Sequence, residues 1–230
     1  HLWYRRQRQM CIRDSSTGTL LVEDDFALEQ IFQFCPVTIV THCEDNETIK
    51  NNSDKVNSQN HNLDASFHPI IRDDLCCYKS SSKVIDLAKK YSSDLHVLHL
   101  TTEKEIKLFE NIDLKNKKIT CEVCVHHLWF DESDYEKLGN FIVCNPAIKK
   151  VSDRNALRKA LKDGFIDYVA TDHAPHSYQD KKLPYGKAPA GIPLIEHSFH
   201  MMIELHKQGY YSLEEVISYM SHKVADRFSI

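Results

Sequence analysis

Five short runs rich in β-branched and apolar residues punctuate the chain: 37-VTIVT-41, 95-LHVLHL-100, 119-ITCEVCV-125, 141-FIVC-144 and 166-IDYVAT-171. Helix-like stretches separate most of them. Asp24 to Phe34 reads as a helix, and Cys76 to Tyr91 carries Val84, Leu87 and Ala88 at the spacing of one helix face. Thr102-x-x-Glu105 and Ser212-x-x-Glu215 are capping boxes. Asp45 to Val56 reads as a polar helix or loop and 57–66 as a polar connector. Ser152 is the expected cap of a helix to Lys162 that Gly164 closes. Pro193 to Lys207 reads as a helix with Gly209 behind it, and another runs from Ser212 to near Met220.

Strands alternating with helices predict an α/β fold with a parallel sheet covered by helices. The strands are near-continuous apolar runs, as parallel strands buried on both faces should be. An open doubly wound sheet ordinarily carries a glycine-rich phosphate loop. With 6 glycines in 230 residues and no such loop, a (β/α)8 TIM-type barrel, or part of one, is the surviving architecture.

The formal charge of -4 gives no footprint for nucleic acid or an anionic membrane. No apolar run approaches the roughly 18–20 residues that span a bilayer. The 8 cysteines show no framework spacing and sit mostly in strand-like runs, so they read as reduced thiols of a cytoplasmic protein. Cys121 and Cys124 form a CxxC whose side chains would point to opposite faces of a strand.

In such barrels the chemistry sits at the C-terminal ends of strands. The first run ends in His42, the second in His99, the third in His126 and His127. The fourth ends in Asn145-Pro146, and the last in Asp172 with His173 and His176. Two neutral imidazoles and a carboxylate from neighbouring strands suit Zn²⁺ or a similar divalent ion. A carboxylate at the metal can also take the proton of an acidified water, which makes Asp172 both ligand and general base. A lone strand-end histidine is ordinarily a satisfied core or surface residue. His61, His96, His197, His200, His206 and His222 read that way.

At these residues the chain resembles a dihydroorotase of the amidohydrolase superfamily. His42-Cys43-Glu44-Asp45 is similar to the fifth-strand ligand segment, and His99-Leu100-Thr101-Thr102 to the sixth-strand H-V-S-T. Glu122 to Leu128 resembles E-V-T-P-H-H-L, and Asn145 to Lys149 resembles N-P-P-L-R. Asp172-His173-Ala174-Pro175-His176 looks like the eighth-strand signature, and Ala188 to Pro193 like the substrate loop that follows.

The resemblance implies a binuclear metal centre, usually zinc, and the interconversion of L-dihydroorotate and N-carbamoyl-L-aspartate in pyrimidine biosynthesis. His42 and His99 would hold one metal and Asp172 the other. Asp172 would carry the proton from the attacking water to the leaving amide nitrogen. Asn145 and His176 would hold the substrate, with backbone groups from Ala188 to Gly191. His126 and His127 have no ligand duty by this resemblance. The expected partner is a small-molecule substrate, with a homodimer open for the complete protein.

The first-strand H-x-H pair and the K-x-F-M-G lysine segment have no counterpart here. Residues 1–14, HLWYRRQRQMCIRD, resemble translated adapter sequence rather than a targeting arm and are set apart from the fold. Residues 15–230 are expected to be the latter half of an amidohydrolase barrel. Such a fragment would be inactive and poorly soluble alone, exposing a strand edge and an apolar inner face. Hydantoinases and allantoinases share the ligand pattern, and a non-catalytic dihydroorotase-like scaffold subunit would lose ligands too.

Overall fold

The computed structural model describes residues 10–12 and 24–230 of the chain. Most of the 1–14 arm and residues 15–23 lie outside the described residues. Five strands, β1 (Met10–Ile12), β2 (Ile39–Thr41), β3 (Leu95–Val97), β4 (Ile119–Cys124) and β5 (Tyr168–Ala170), form one sheet in that order. Every pair is parallel, with Val40 opposite His96, His96 opposite Thr120, and Glu122 opposite Tyr168.

β1 lies inside the segment that the sequence sets apart. A three-residue apolar stretch there takes the edge of β2, whose backbone groups would otherwise stand unpaired. The run 141-FIVC-144 is not a strand: Gly139–Ile142 is a 3₁₀ turn, and no sheet partner reaches it among the described residues.

One face of the sheet is apolar. Ile39, Leu95, Val97, Cys121, Val123 and Val169 join a single buried cluster with Leu28 and Phe32 of the helix Asp25–Phe34. Val84, Ile85 and Ala88 of the helix Asp74–Tyr91 belong to it too. Burying such side chains stabilises the fold by roughly 1.5–3 kcal/mol each.

The opposite face departs from the expected apolar lining. His96 stacks on Tyr168 with ring centroids 5.0 Å apart. Its Nδ1 lies 2.9 Å from Thr120 Oγ1, and its Nε2 lies 2.7 Å from the Tyr168 hydroxyl and 3.1 Å from Glu122 Oε2. Arg227 of the last helix, Lys223–Phe228, donates to Thr120 Oγ1 at 2.8 Å and to Asp94 Oδ1 at 2.5 Å. Period-two alternation puts polar residues at these positions, and they satisfy one another, which is what burial of polar groups requires.

Half of the described α-helix starts follow side-chain caps that the sequence supplies. Asp24, Asp45 and Asp73 accept from Ala27, Thr48 and Cys76 backbone N–H at 2.7, 3.0 and 2.9 Å. Thr102 and Ser212 do the same for Glu105 and Glu215. Gly164 closes the helix Val151–Asp163 in the left-handed conformation.

Several boundaries differ, and the helix expected to end near Met220 continues through Ser218–His222 to Phe228. The polar helix Asn46–Gln59 continues into the expected connector. The helix Val151–Asp163 begins before Ser152, and Asp153 binds its free end through Lys150 N–H. The last long helix starts at Ser198, because residues 194–197 form a turn whose Leu194 carbonyl accepts from Ser198 at 2.8 Å. Among the described residues no helix is long and apolar enough to cross a membrane.

Candidate metal and substrate site

Three predicted ligands stand just beyond strand ends: His42 one residue after β2, His99 two after β3, and Asp172 two after β5. His99 and Asp172 share a second property. Both are non-glycine residues at positive φ, 35° and 42°, in the left-handed region. The other two described residues of that kind, Ser92 and Ser229, are helix C-caps, where the conformation is routine. At a strand end it is costly, and such backbone is held where side-chain direction matters.

His42 Nδ1 faces His99 Nε2 at 3.1 Å. On its other side, His42 Nε2 lies 2.9 Å from Glu44 Oε2. Burial pushes the Glu44 carboxyl up, but the Arg72 guanidinium, the His42 hydrogen bond and Lys149 outweigh it and hold it down at about 2. An ionised carboxylate only accepts, so His42 donates from Nε2 and presents Nδ1 to His99. Metal-ligating imidazoles are typically oriented in this way by a carboxylate on the far nitrogen.

Burial, then the neighbouring His42, keeps His99 far below the usual imidazole range, and therefore neutral. Its Nδ1 is buried without a hydrogen-bond partner. Two imidazole nitrogens on one tetrahedral zinc are about 3.3 Å apart, from Zn–N bonds of ~2.0–2.1 Å. The His42–His99 spacing fits a shared divalent ion.

Asp172, His173 and His176 are exposed. His173 Nδ1 accepts from Ile195 N–H at 3.0 Å. His176 Nε2 lies 2.9 Å from Ala190 O and so carries the proton. Gly191 packs directly beneath: a Cβ there would lie 2.6 Å from Ala174 Cβ and 2.9 Å from His176 Nε2. With φ at 136°, this position needs glycine for both space and backbone. The structure thus brings His176 and the loop from Ala188 to Gly191 together. Asn145, half-buried and joined to Pro146 by a cis peptide bond, sits elsewhere on the rim, where His68 Nε2 contacts both its Oδ1 (3.2 Å) and Cys144 O (2.9 Å).

Sequence reading missed several residues that hold this rim. Lys181, within the charged stretch 177-SYQDKKLPYGK-187, is buried. Its ammonium donates to the carbonyls of Val143 (3.2 Å), Pro189 (2.9 Å) and Gly191 (2.9 Å). Lys149 is buried too, donating to Thr101 Oγ1 and Ala147 O at 3.0 and 3.1 Å. Nothing in a lysine's local sequence announces such burial. Glu44 had a signal, its two-residue spacing from His42.

Among the described residues, two other groups bring three ligand atoms within 4.8 Å of one another: Cys124 with His126 and His127, and Glu44 with Cys76 and Cys77. The predicted trio of His42, His99 and Asp172 is not so tightly gathered.

No family model matches the chain. It is 33% identical over 201 residues to a dihydroorotase of Bacillus pumilus, an alignment covering 84% of this chain and 44% of that protein. Among solved structures it resembles an L-hydantoinase (dihydropyrimidinase) from Arthrobacter aurescens, with TM-score 0.85 at 22% identity over 96% of this chain and 50% of that one. It also resembles the dihydroorotase of Saccharomyces cerevisiae solved with 5-fluoroorotic acid, with TM-score 0.72 at 18% identity over 96% of this chain and 60% of that one. The chain spans less than half the length of the curated relatives it matches.

Proposed function

This chain is a sequence relative of the dihydroorotases with an amidohydrolase-type fold, and from that premise we propose that its protein is a dihydroorotase. It would interconvert L-dihydroorotate and N-carbamoyl-L-aspartate, a cytoplasmic step of pyrimidine biosynthesis. The observation that carries the reading is the pair of imidazole nitrogens facing each other at 3.1 Å beyond adjacent strands. Zinc is the metal they suit best, and the complete site is binuclear. A divalent ion bound here supplies polarisation of the ring carbonyl and acidification of a water.

The chain's own residues do the rest. Glu44 fixes the His42 tautomer. Asp172 takes the proton of the attacking water and returns it to the ring nitrogen as the amide bond breaks. His176 has Nε2 committed to Ala190 O, so Nδ1 is the nitrogen it would offer to a substrate group. His176 and Asn145 hold the substrate, and the Ala188 to Gly191 backbone completes the cradle.

The test is ring opening by the full-length zinc protein against dihydroorotate, hydantoin, dihydrouracil and allantoin. Dihydroorotate should be the preferred substrate, and Asp172→Asn should lower its turnover by about 10²–10⁴-fold. Preference for hydantoin, with dihydroorotate untouched, overturns the substrate; undiminished turnover in Asp172→Asn overturns the base. The 230-residue chain by itself should be inactive, since His42, His99 and Asp172 are three ligands for two metal positions.

A further inference from the structure

β4 ends in Cys124, and the one-turn helix Val125–Trp129 that follows carries His126 and His127. All three side chains are buried, with His126 1% and His127 3% exposed. Neither nitrogen of His126 has a hydrogen-bond partner, nor does Nδ1 of His127. A buried polar group left unpaired costs about 1–3 kcal/mol, so a fully buried imidazole with both nitrogens open calls for a reason.

His127 supplies one. Its Nε2 lies 3.1 Å from Pro146 O, an acceptor with no hydrogen to give. The neutral ring therefore donates from Nε2 and holds its lone pair on the open Nδ1. A ring nitrogen donating to a backbone carbonyl while the other stands free is the arrangement that orients metal-ligating histidines. Burial keeps both rings neutral: His126 falls to about 3, and His127 lies well below the usual imidazole range. Neutral imidazole is the form that binds a metal.

One ligand atom from each of Cys124, His126 and His127 lies within 4.8 Å of the others. Around a tetrahedral zinc, one thiolate and two imidazoles sit about 3.3–3.6 Å apart, so small side-chain rotations close the set. Burial first, then the Glu122 and Asp172 carboxylates, push the Cys124 thiol well above its usual range, so a cation must displace the thiol proton, and the same carboxylates favour a cation beside it. A single sulfur with two nitrogens selects a borderline-soft ion over magnesium or calcium.

We propose that Cys124, His126 and His127 form a three-ligand site for a zinc-class transition metal, separate from the His42–His99 pair. The site leaves one coordination position open. It needs no amide hydrolysis, so it stands or falls apart from the proposed activity. Binding replaces the Cys124 S–H bond with a sulfur–metal bond and releases that proton to solvent.

The experiment is titration of the metal-free chain with Co²⁺, read by the near-ultraviolet charge-transfer band that only thiolate ligation gives. The band should appear and saturate at the intensity of one thiolate ligand per chain. Cys124→Ser should abolish it, whereas the Cys76→Ser/Cys77→Ser double variant should retain it. His126→Leu keeps the volume and removes two unpaired nitrogens. It should weaken the band-forming affinity by at least about tenfold while raising the Tm of the metal-free chain. Absence of the band in the wild type, its survival in Cys124→Ser, or its loss in the Cys76/Cys77 variant overturns the proposal. So does a His126→Leu chain that binds normally.

Discussion

His42 turns its Nε2 proton into the fully buried carboxylate of Glu44, 2.9 Å away, and so leaves Nδ1 free to face His99. Glu44 thereby sets which nitrogen of His42 is presented to His99 and, under the proposed function, to a metal. In Glu44→Gln the amide can accept the same hydrogen bond, but without the negative charge that makes the imidazole a stronger donor to a metal. Zinc affinity at the His42–His99 pair should drop about 10–100-fold. Chelator competition in a Cys124→Ser background isolates that pair, and an unchanged affinity would show that Glu44 has no part in orienting it.

Arg72 is the counter-charge that makes a buried Glu44 tolerable, and it sits directly against the carboxylate. Removing one partner of a buried ion pair strands the other and typically costs about 3–5 kcal/mol. Arg72→Met should destabilise the chain by that order in urea unfolding at neutral pH. The double variant Arg72→Met/Glu44→Gln should recover most of the loss. A single variant within about 1 kcal/mol of wild type would mean that solvent, not Arg72, stabilises the charge.

Legibility of this molecule in its sequence follows physical range. Strand ends carrying His42, His99 and Asp172 are readable because alternation and apolar runs are local patterns, and barrel chemistry collects at strand ends. The left-handed backbone at His99 and Asp172 is not readable, because φ there is imposed by the surrounding fold. Tertiary burial of charge is equally silent. Lys181 looks like any loop lysine until Val143, 38 residues earlier, supplies a carbonyl. The polar side of the sheet was visible as His96, Thr120, Glu122 and Tyr168, yet its closure by Arg227 needs a contact over 107 residues. The run FIVC failed as a strand because apolar content alone does not distinguish a buried turn from a strand.

His68 couples stability to acid. Burial first, then Arg72, lowers its imidazole to about 4, and it is neutral in the fold with Nε2 donating to Cys144 O and Tyr185 hydroxyl at Nδ1. The unfolded chain binds that proton near pH 6.5, so it holds more protons than the fold between about 6.5 and 4. Stability from this group is complete above about pH 6.5 and lost as pH falls through that window, up to about 3 kcal/mol. Urea midpoints from pH 7.5 to 4.5 measure it. In His68→Asn the slope should flatten; a slope unchanged by the substitution assigns the acid sensitivity elsewhere.

Gly191 carries a steric prediction. A methyl group there would meet Ala174 Cβ at 2.6 Å and His176 Nε2 at 2.9 Å, on a backbone that disfavours any side chain. Gly191→Ala should cost more than about 1 kcal/mol and displace His176. Thermal unfolding reads the first effect and the His176 ring signals in NMR the second. An unshifted ring would show that the loop yields instead.

Lys181 ties that same loop down from below. Its three carbonyl partners, Val143, Pro189 and Gly191, belong to two separated segments, and Gly191 N–H returns a 2.8 Å bond to Val143 O. Lys181→Met keeps the buried stem but takes the ammonium from three carbonyls, of which Val143 O keeps the Gly191 N–H, at about 1–3 kcal/mol. If the cost fell on the whole fold, every core amide would exchange faster by a similar factor. The geometry favours a local effect, because the ammonium reaches only the loop and its anchor. Hydrogen exchange should therefore accelerate at Gly191 and Ala174, whose amides bond to Val143 O and Ile192 O, while β3 and β4 amides keep their protection. Under the proposed function KM for substrate should rise more than kcat falls, since Lys181 bonds only to backbone carbonyls of the loop and its anchor. Uniform acceleration across β3 and β4 would make Lys181 a general stability element and remove it from the substrate loop's support.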